Sequence, residues 1–551
     1  MKKAPLILIL FIITTFTFSK AQTIGLTKYT NLTEIDYVLF SAIGDTNTFL
    51  IDQCGELVHQ WASSYNPAMA VYLLPNGNLL RPGRLNNTFF PNAAGRGGMI
   101  EIYDWNGSLI WDYQISNTTQ MQHHDVEYLP NGNILAIVWD LKTMAEADMA
   151  GRDTNTVDNT FWSEKIIEIQ PNYATNTGTI VWEWHLWDHL IQDYDNSKNN
   201  YGVVSNSPEL VDVNYPSTIQ PQSDWAHVNG IDYNASLDQI VLSSHNFSEL
   251  WVIDHSTTTV EAASHSGGNS GKGGDILYRW GNPAAYQRGT SVDQKLFKQH
   301  DVRWIEDTLV DAGKFMVFNN QVGQGAPGGN YSSVDIIDPP VDINGNYTLV
   351  SGQSYGPLNA SWTYIANPPS DLYSSNISGA HRFENGHTLI CEGNSGRFFE
   401  LDQNDSIVWE YINPMSNVGM ISQGDNPQNN SVFRCTDYSA NYPGLNGQSL
   451  VSMGPLELNP TSSICTPTAV DNEVDETNYS VYPNPTRNTL NVSVNKNTSA
   501  ELSLFNTLGQ EIYRSAIKSS VAIDVSSWEK GIYFIRITFP GYQYLSKVII
   551  E

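Results

Sequence analysis

The chain is poor in positive charge, in cysteine and in long apolar runs. Lys and Arg total 28 against 57 Asp and Glu over 551 residues, a formal charge of −29. Nucleic acid and anionic membrane surfaces are repelled by such a chain unless a local basic patch intervenes, and none occurs. The four cysteines are Cys54, Cys391, Cys435 and Cys465, with no CxxC or Cys/His zinc spacing. Cys435 with Cys465 is the nearest pair in sequence and the preferred disulfide; buried free thiols for Cys54 and Cys391 are the alternative. His185 and His189 lack an HExxH glutamate, and their flanking Trp184 and Trp187 suggest one short packed helix near "WEWHLWDHLIQD", so no metal site is expected. "DINGN" at 342–346 lacks the rest of a calcium loop and reads as a turn. Neither a serine elbow nor a reactive-cysteine setting is present, and no cofactor is expected.

The one long apolar run, Pro5 to Phe18, follows Lys2 and Lys3 and ends at the small residues Ser19 and Ala21. Residues 1–21 read as a signal peptide cut after Ala21. The run is shorter than the roughly 20 residues a membrane span needs. No later segment approaches that length, so an exported chain without a membrane span is expected.

Repeats organise most of the remaining chain. "VYLLPNGNLL" (71–80), "VEYLPNGNIL" (126–135) and "HRFENGHTLI" (381–390) each join two apolar strands through an Asn-Gly turn. A second motif is a short strand ending in tryptophan, at Trp61, Trp111, Trp182, Trp280, Trp362 and Trp409. Six such closures with almost no helical periodicity predict an all-β fold, a six-bladed β-propeller over residues 22–455. The polar inserts 141–163, 190–222 and 255–275 are expected to be surface loops.

Residues 456–478, rich in Pro, Ser, Thr and acids, read as a linker. Residues 479–551 then alternate as a small β-sandwich. "VYPNPTRNTLNV", "LFNTLGQEI" and "LSKVIIE" resemble the C-terminal sorting domain of the type IX secretion system. That resemblance implies handling by the type IX machinery and export across the outer membrane, to a secreted or cell-surface location.

The histidines point to one end of the expected propeller. His124 lies four residues before Tyr128 and His300 four before Trp304; the residue four before Tyr233 is Asn229, with His227 two earlier. Equivalent strand starts from several blades converge near the axis, a site-building geometry. Alternation along a strand puts His227 and Asn229 on one face, and allows only one of His123 and His124 to serve. His381 falls later in its strand and is expected in the wall. With no serine or cysteine nucleophile, imidazole itself is left as nucleophile or acid–base group.

"HHDVEYLPNGNIL", "DWAHVNGIDYN", "QIVLSSHNFSELWVIDH", "ILYRWGNP", "QHDVRWI" and "NGHTLICEG" resemble the bacterial arylsulfotransferase family over about residues 45 to 415. The resemblance implies transfer of a sulfuryl group from a phenolic sulfate ester to a phenol, by a ping-pong route through a sulfohistidine. By motif, His300 matches the nucleophile, His227 and Asn229 the pair that binds sulfate and assists proton transfer, and His124 the histidine of an earlier blade. Two departures stand out. His245 occupies the place of the family's arginine after "SS", leaving Arg382 or Arg84 as candidate replacements, and the family's lysine is not placed. The N-terminal domain that helps form the dimer of well-known members has no counterpart before the first blade, so a monomer is expected. The competing expectations are a propeller that binds a glycan or protein without chemistry, and a related sulfate-ester hydrolase.

Overall fold

The computed structural model describes residues 22–551 except 92, 217–222, 328, 462–463, 466–478, 495–499, 507–510 and 540–541. The expected signal peptide and the second half of the expected linker lie outside the described residues. The chain divides into two units, ending and beginning at Cys465 and Thr466.

The first unit is nearly all β, with five four-stranded antiparallel sheets and one five-stranded one among the larger sheets of its described residues. Sheet I takes Tyr37–Ala42, Asn47–Asp52 and Leu57–Ala62, led by the late strand Val432–Tyr438. Sheet II is Tyr72–Leu73, Leu79–Arg84, Gly98–Tyr103 and Leu109–Gln114. Sheet III is Gln120–Tyr128, Ile134–Lys142, Phe161–Asn172 and Thr177–His185. Sheet IV is Val228–Asn234, Gln239–Ser244, Glu249–Asp254 and Tyr278–Trp280, and sheet V is His300–Trp304, Phe315–Asn319, Ser333–Ile337 and Trp362–Tyr364. Sheet VI is Gly379–Arg382, Thr388–Glu392, Arg397–Leu401 and Ile407–Ile412, with Gly25–Tyr29 added at its outer edge.

The two repeated motifs have separate physical jobs. In the Asn-Gly hairpins, Leu74 N, Leu129 N and Phe383 N donate to Asn78 O, Asn133 O and His387 O at 2.7–2.9 Å. The turn glycines Gly77, Gly132 and Gly386 sit at φ 85–87°, where a side chain would strain the backbone. The closing tryptophans tie each sheet to the next. Trp61 Nε1 donates to Asp104 O, Trp111 to Thr177 O, Trp182 to Thr257 Oγ1 and Trp280 to Pro357 O, at 2.7–3.2 Å. Trp362 bonds Asp405, and Trp409 returns to Gln53 O of sheet I at 2.7 Å. A buried indole needs a partner for its N–H, so one residue type supplies both core volume and the link to the neighbour.

The leading strands of sheets III, IV, V, VI and I lie side by side in that order. Leu73 N of sheet II reaches Tyr438 Oη of sheet I at 2.8 Å, and Ala70 N reaches His124 O of sheet III at 3.3 Å. The early and late segments of the first unit meet through strand Val432–Tyr438 and a Cys54–Cys465 disulfide.

Several sequence expectations change here. Cys465 pairs with Cys54, not Cys435; Cys391 and Cys435 are buried free thiols. Leu456 and Cys465 pack into the core around Val38, Phe40 and Trp409, so the segment up to 465 belongs to the first unit. Near 182–193, where one short helix was expected, the strand Thr177–His185 runs on and only a single 3-10 turn, Leu186–Asp188, follows it. The inserts are not bare loops: Val157, Leu190, Val204, Val211, Val213 and Ala262 are buried in the core of sheets III and IV.

The second unit holds a three-stranded sheet, Tyr479–Tyr482, Thr489–Val494 and Ser520–Asp524. Beside it in sequence is a four-stranded sheet, Glu511–Ile517, Ala500–Phe505, Gly531–Phe539 and Tyr542–Ile550. Alternate residues of both, among them Leu490, Val492, Leu502, Leu504, Ile535 and Ile537, share one buried core. Among the described residues no helix is long and apolar enough to cross a membrane.

Candidate active site

The starts of the leading strands are bulged. Register slips opposite residues 122–126 in sheet III, between Val228 and Gly230 in sheet IV, and between His300 and Arg303 in sheet V. At these places His124, His227 and Asp301 adopt φ of 50–55°, and Lys298 φ 59°. Non-glycine residues there cost about 1–3 kcal/mol each, a strain that clusters at sites which re-aim side chains. The bulge breaks strict alternation. By backbone conformation His124 therefore corresponds to His227, not to Asn229 as counting back from the aromatic residue suggests.

The result is a continuous arc of four imidazoles from three sheets. Ring centroids are 4.6 Å apart for His124 and His227, 4.9 Å for His227 and His245, and 5.4 Å for His245 and His300. Phe433, on the leading strand of sheet I, lies 6.1 Å from His124 and 6.2 Å from His300 and spans the gap. Gly95 (φ 73°) lies against His124 so closely that a Cβ there would come within 2.1 Å of the ring.

Each ring is fixed by a different partner. His300 Nδ1 meets Asn320 Oδ1 at 2.9 Å. The Asn320 amide nitrogen donates to Ser374 O and Ile377 O, so its oxygen faces His300 and accepts from Nδ1–H. His300 Nε2 therefore carries the lone pair, against which the Ile377 N–H rests at 3.2 Å. Burial pushes His300 down to about 3, the Asn320 bond opposing only in part, so the ring is neutral near pH 7. Burial, with the neighbouring imidazoles, holds His124 and His245 well below the usual histidine range too. His227 goes the other way: burial lowers it, but Asp224, 2.5 Å from Nδ1, outweighs burial and raises it.

Lys298 is the residue that sequence reasoning missed. Its Nζ bonds Asn246 Oδ1 at 3.1 Å beside His245, whose Nδ1 shares that oxygen at 3.0 Å. No carboxylate pairs with Lys298 among the described residues, and burial alone lowers its pKa. A half-buried ammonium without a counter-ion suits an anionic ligand. The available signal was its place two residues before His300. Arg84 and Arg96 add positive charge nearby: they repel each other, and Arg96 bridges the backbone of His123.

Two predicted site residues are not in the arc. Asn229 is fully buried, its Nδ2 bonded to Gln299 O at 2.9 Å and its Oδ1 without a partner. Arg382 sits at the far end of its strand, bonded to Asp311 at 2.8 Å, Thr388 Oγ1 at 2.7 Å and Gly386 O at 3.0 Å, and stacked over Trp362. It lines a cavity of about 800 Å³ at the opposite ends of the leading strands, together with Glu127, Asp232, Arg303, His381 and Asp437. Between that cavity and the histidines lies a knot of charge. Arg434 pairs with Asp125 and, at 2.9 Å, with Asp301, while Tyr72 Oη links Asp125, Arg303 and Arg434 at 2.7–3.2 Å.

His189, His265 and Asp275 also lie close together. Their 2.7–2.8 Å contacts are hydrogen-bond lengths, and His189 Nε2 is occupied by Ala262 O at 2.8 Å.

The family model described as Arylsulfotransferase (ASST) matches residues 28–435. The chain belongs to the arylsulfotransferase family. A second model, the Secretion system C-terminal sorting domain, matches residues 480–551, which marks this family member for secretion or surface export. Ulvan lyase NLR42 from Nonlabens ulvanivorans is 22% identical over 240 residues, covering 40% of this chain and 43% of that protein. The chain thus spans about two-fifths of the length of this curated relative. Among solved structures, a protein of unknown function from Bacteroides caccae covers 73% of this chain and 98% of its own, at 11% identity and a TM-score of 0.38. Virginiamycin B lyase from Staphylococcus aureus covers 73% and 87%, at 12% identity and a TM-score of 0.34. At these TM-scores neither likeness bears on fold or function.

Proposed function

We propose that the protein is a secreted, monomeric arylsulfotransferase that moves a sulfuryl group from a phenolic sulfate ester to a phenol. Its six sheets are read as the blades of one propeller, and the C-terminal unit as a β-sandwich that engages the type IX secretion machinery. His300 Nε2 attacks the sulfur and the phenolate leaves; an acceptor phenol then takes the sulfuryl group from the sulfohistidine. The observation that carries this reading is the Asn320 bond, which fixes the proton on Nδ1 and leaves a neutral Nε2 lone pair in the arc. His227, whose pKa Asp224 raises, and Lys298, with Arg84 and Arg96 behind them, balance the negative charge of the transferring group. His245 lines the same pocket, and Asn229 braces it from outside the arc through the backbone of Gln299, next to His300.

One contact favours a second reading, a binding protein without chemistry. The Ile377 N–H already occupies the His300 lone pair at 3.2 Å. A long neutral bond nets only about 0.5–1.5 kcal/mol, so its release is a small part of a reaction barrier. The two readings separate on incubation with a chromogenic phenyl sulfate, with and without an added phenol. Turnover stimulated by phenol, a mass adduct on His300, and a loss of roughly 10³-fold or more in His300→Ala are expected. Turnover unchanged in His300→Ala overturns the assignment, and no turnover or adduct in the wild type favours the binding protein.

A further inference from the structure

Behind the arc, a second line of buried groups leads away from His124. His124 Nδ1 meets His123 Nδ1 at 2.8 Å, and His123 Nε2 meets Glu164 Oε2 at 2.8 Å. His123 and Glu164 are completely buried and His124 is 3% exposed. His123 is held flat on Trp139, with ring centroids 3.9 Å apart and planes 6° from parallel. Glu164 Oε1 accepts from Val228 N at 3.0 Å, directly after His227. With both imidazoles neutral, as their burial favours, such a chain has only two self-consistent arrangements of its protons.

In the first, Glu164 is ionised, His123 Nε2–H donates to it, His124 Nδ1–H donates to His123 Nδ1, and His124 Nε2 offers a bare lone pair. In the second, the Glu164 hydroxyl donates to His123 Nε2, His123 Nδ1–H donates to His124 Nδ1, and His124 Nε2 carries a proton. The two differ by one proton, which enters or leaves at His124 Nε2 and is stored on Glu164; each imidazole is neutral in both.

We propose that Glu164 is the proton store of the active site, acting through His123 as a positioning residue so that His124 gives and takes protons without becoming an imidazolium. The inference rests on the reading of the arc as catalytic. The second arrangement gives a proton to the leaving phenolate and becomes the first, which then takes the acceptor phenol's proton and restores the second, so the cycle closes with no outside acid or base.

The surroundings agree. Burial pushes Glu164 well above the usual carboxylate range, and Asp224 adds to this, while His227 and the Val228 N–H oppose it. Burial also holds His123 well below the usual histidine range, with Asp224 opposing and His227 adding to that. The titratable groups facing the chain are Asp224 and His227 at its inner end, and His227, His245 and His300 around His124. A charged imidazolium at His124 would be repelled by its neighbours; a neutral ring that hands its proton to a carboxylate is not.

The sequence alone pointed the other way, since alternation along a strand allows only one of two adjacent histidines to serve. The bulge at His124 removes that restriction.

The test is imidazole nitrogen NMR on histidine-labelled protein across pH, with aryl sulfate kinetics on the same samples. In the wild type, His123 and His124 are expected to exchange tautomers together at one midpoint without an imidazolium signal. Glu164→Gln abolishes the exchange, lowers kcat about 10²-fold, and removes the matching limb of the pH–rate profile. If Glu164→Gln fails to fold, Glu164→Asp, which withdraws the carboxylate from His123, is expected to uncouple the two rings. Independent titration of the two rings in the wild type, or an exchange that survives Glu164→Gln, overturns the proposal. A wild type without sulfuryl transfer sinks the functional reading instead and leaves the NMR result to decide the relay.

Discussion

Replacing Arg434 by Met is expected to be among the most damaging single changes in the first unit. The guanidinium is 3% exposed and pairs with Asp125 and Asp301, both wholly buried. It also bonds Tyr72 Oη at 3.2 Å and Asn229 O at 3.1 Å, and Ala380 N donates to Asp301 at 3.2 Å, so one cluster joins all six sheets. Removing one partner of a buried ion pair costs about 3–5 kcal/mol, because the other charge stays behind unpaired. Asp301 gives an independent figure. Burial raises its pKa, but Arg434 and Arg303 outweigh burial and bring it to about 2. Against an unperturbed value near 3.9, that is roughly 2.5 kcal/mol of stability, present above pH 4 and lost as pH falls through 2.

In Arg434→Met, Asp301 keeps Arg303 at 2.7 Å, while Asp125 keeps no cation and is left with Tyr72 Oη at 2.7 Å, Val126 N at 3.0 Å and Ile231 N at 3.3 Å. Denaturant unfolding at pH 7 is expected to show a loss of about 3–5 kcal/mol. The loss shrinks as acid neutralises the unpaired carboxylate, the opposite pH trend to the wild type. Arg434→Met combined with Asp125→Leu recovers part of it, since the stranded charge is gone. A single variant within about 1 kcal/mol of wild type at pH 7 contradicts this account of the charge cluster.

Lys298→Met is expected to raise KM for an aryl sulfate about 10-fold or more, the size of one charge-assisted hydrogen bond. Adding His245→Arg to it is expected to restore part of the loss; no change in KM on Lys298→Met rules out the anion role. Cys54→Ser is expected to destabilise the first unit by about 2–4 kcal/mol, read by denaturation with and without reductant, and Cys391→Ser to leave the reductant sensitivity intact.

What was legible in the sequence was local chemistry repeated. Asn-Gly turns and strand-closing tryptophans announce themselves because each needs a particular residue at a particular place, and both recur. His300 was legible as a strand start for the same reason, whereas His124 lies in the middle of Gln120–Tyr128. What failed needed contacts between distant segments. Nothing near Cys54 signals a partner 411 residues away. Arg382 looked available because a sequence does not say which end of a strand faces the histidines. Glu164 comes from the third strand of its sheet and Asn320 directly follows the second strand of its own, where nothing in the local pattern separates them from ordinary core positions. The bulges mattered most, since they set His227 and not Asn229 beside His124.

The bulges also explain why aspartate follows histidine at both places. After His124 and His300 the chain turns through its irregular step, and the next side chain is carried toward the axis: Asp125 and Asp301 both end on the same guanidinium. Asp301 itself holds φ 55°, a conformation that is maintained only if something fixes its side chain, and Arg434, Arg303 and Ala380 N all do. The charge knot and the histidine arc are therefore two sides of one device. Its consequence is that Arg434→Met should disturb the placement of His124 and His300 together, although the arginine touches neither ring through a hydrogen bond. Histidine NMR shifts that move for both residues while His189, in the core of sheets III and IV, stays still would distinguish this coupling from general loosening.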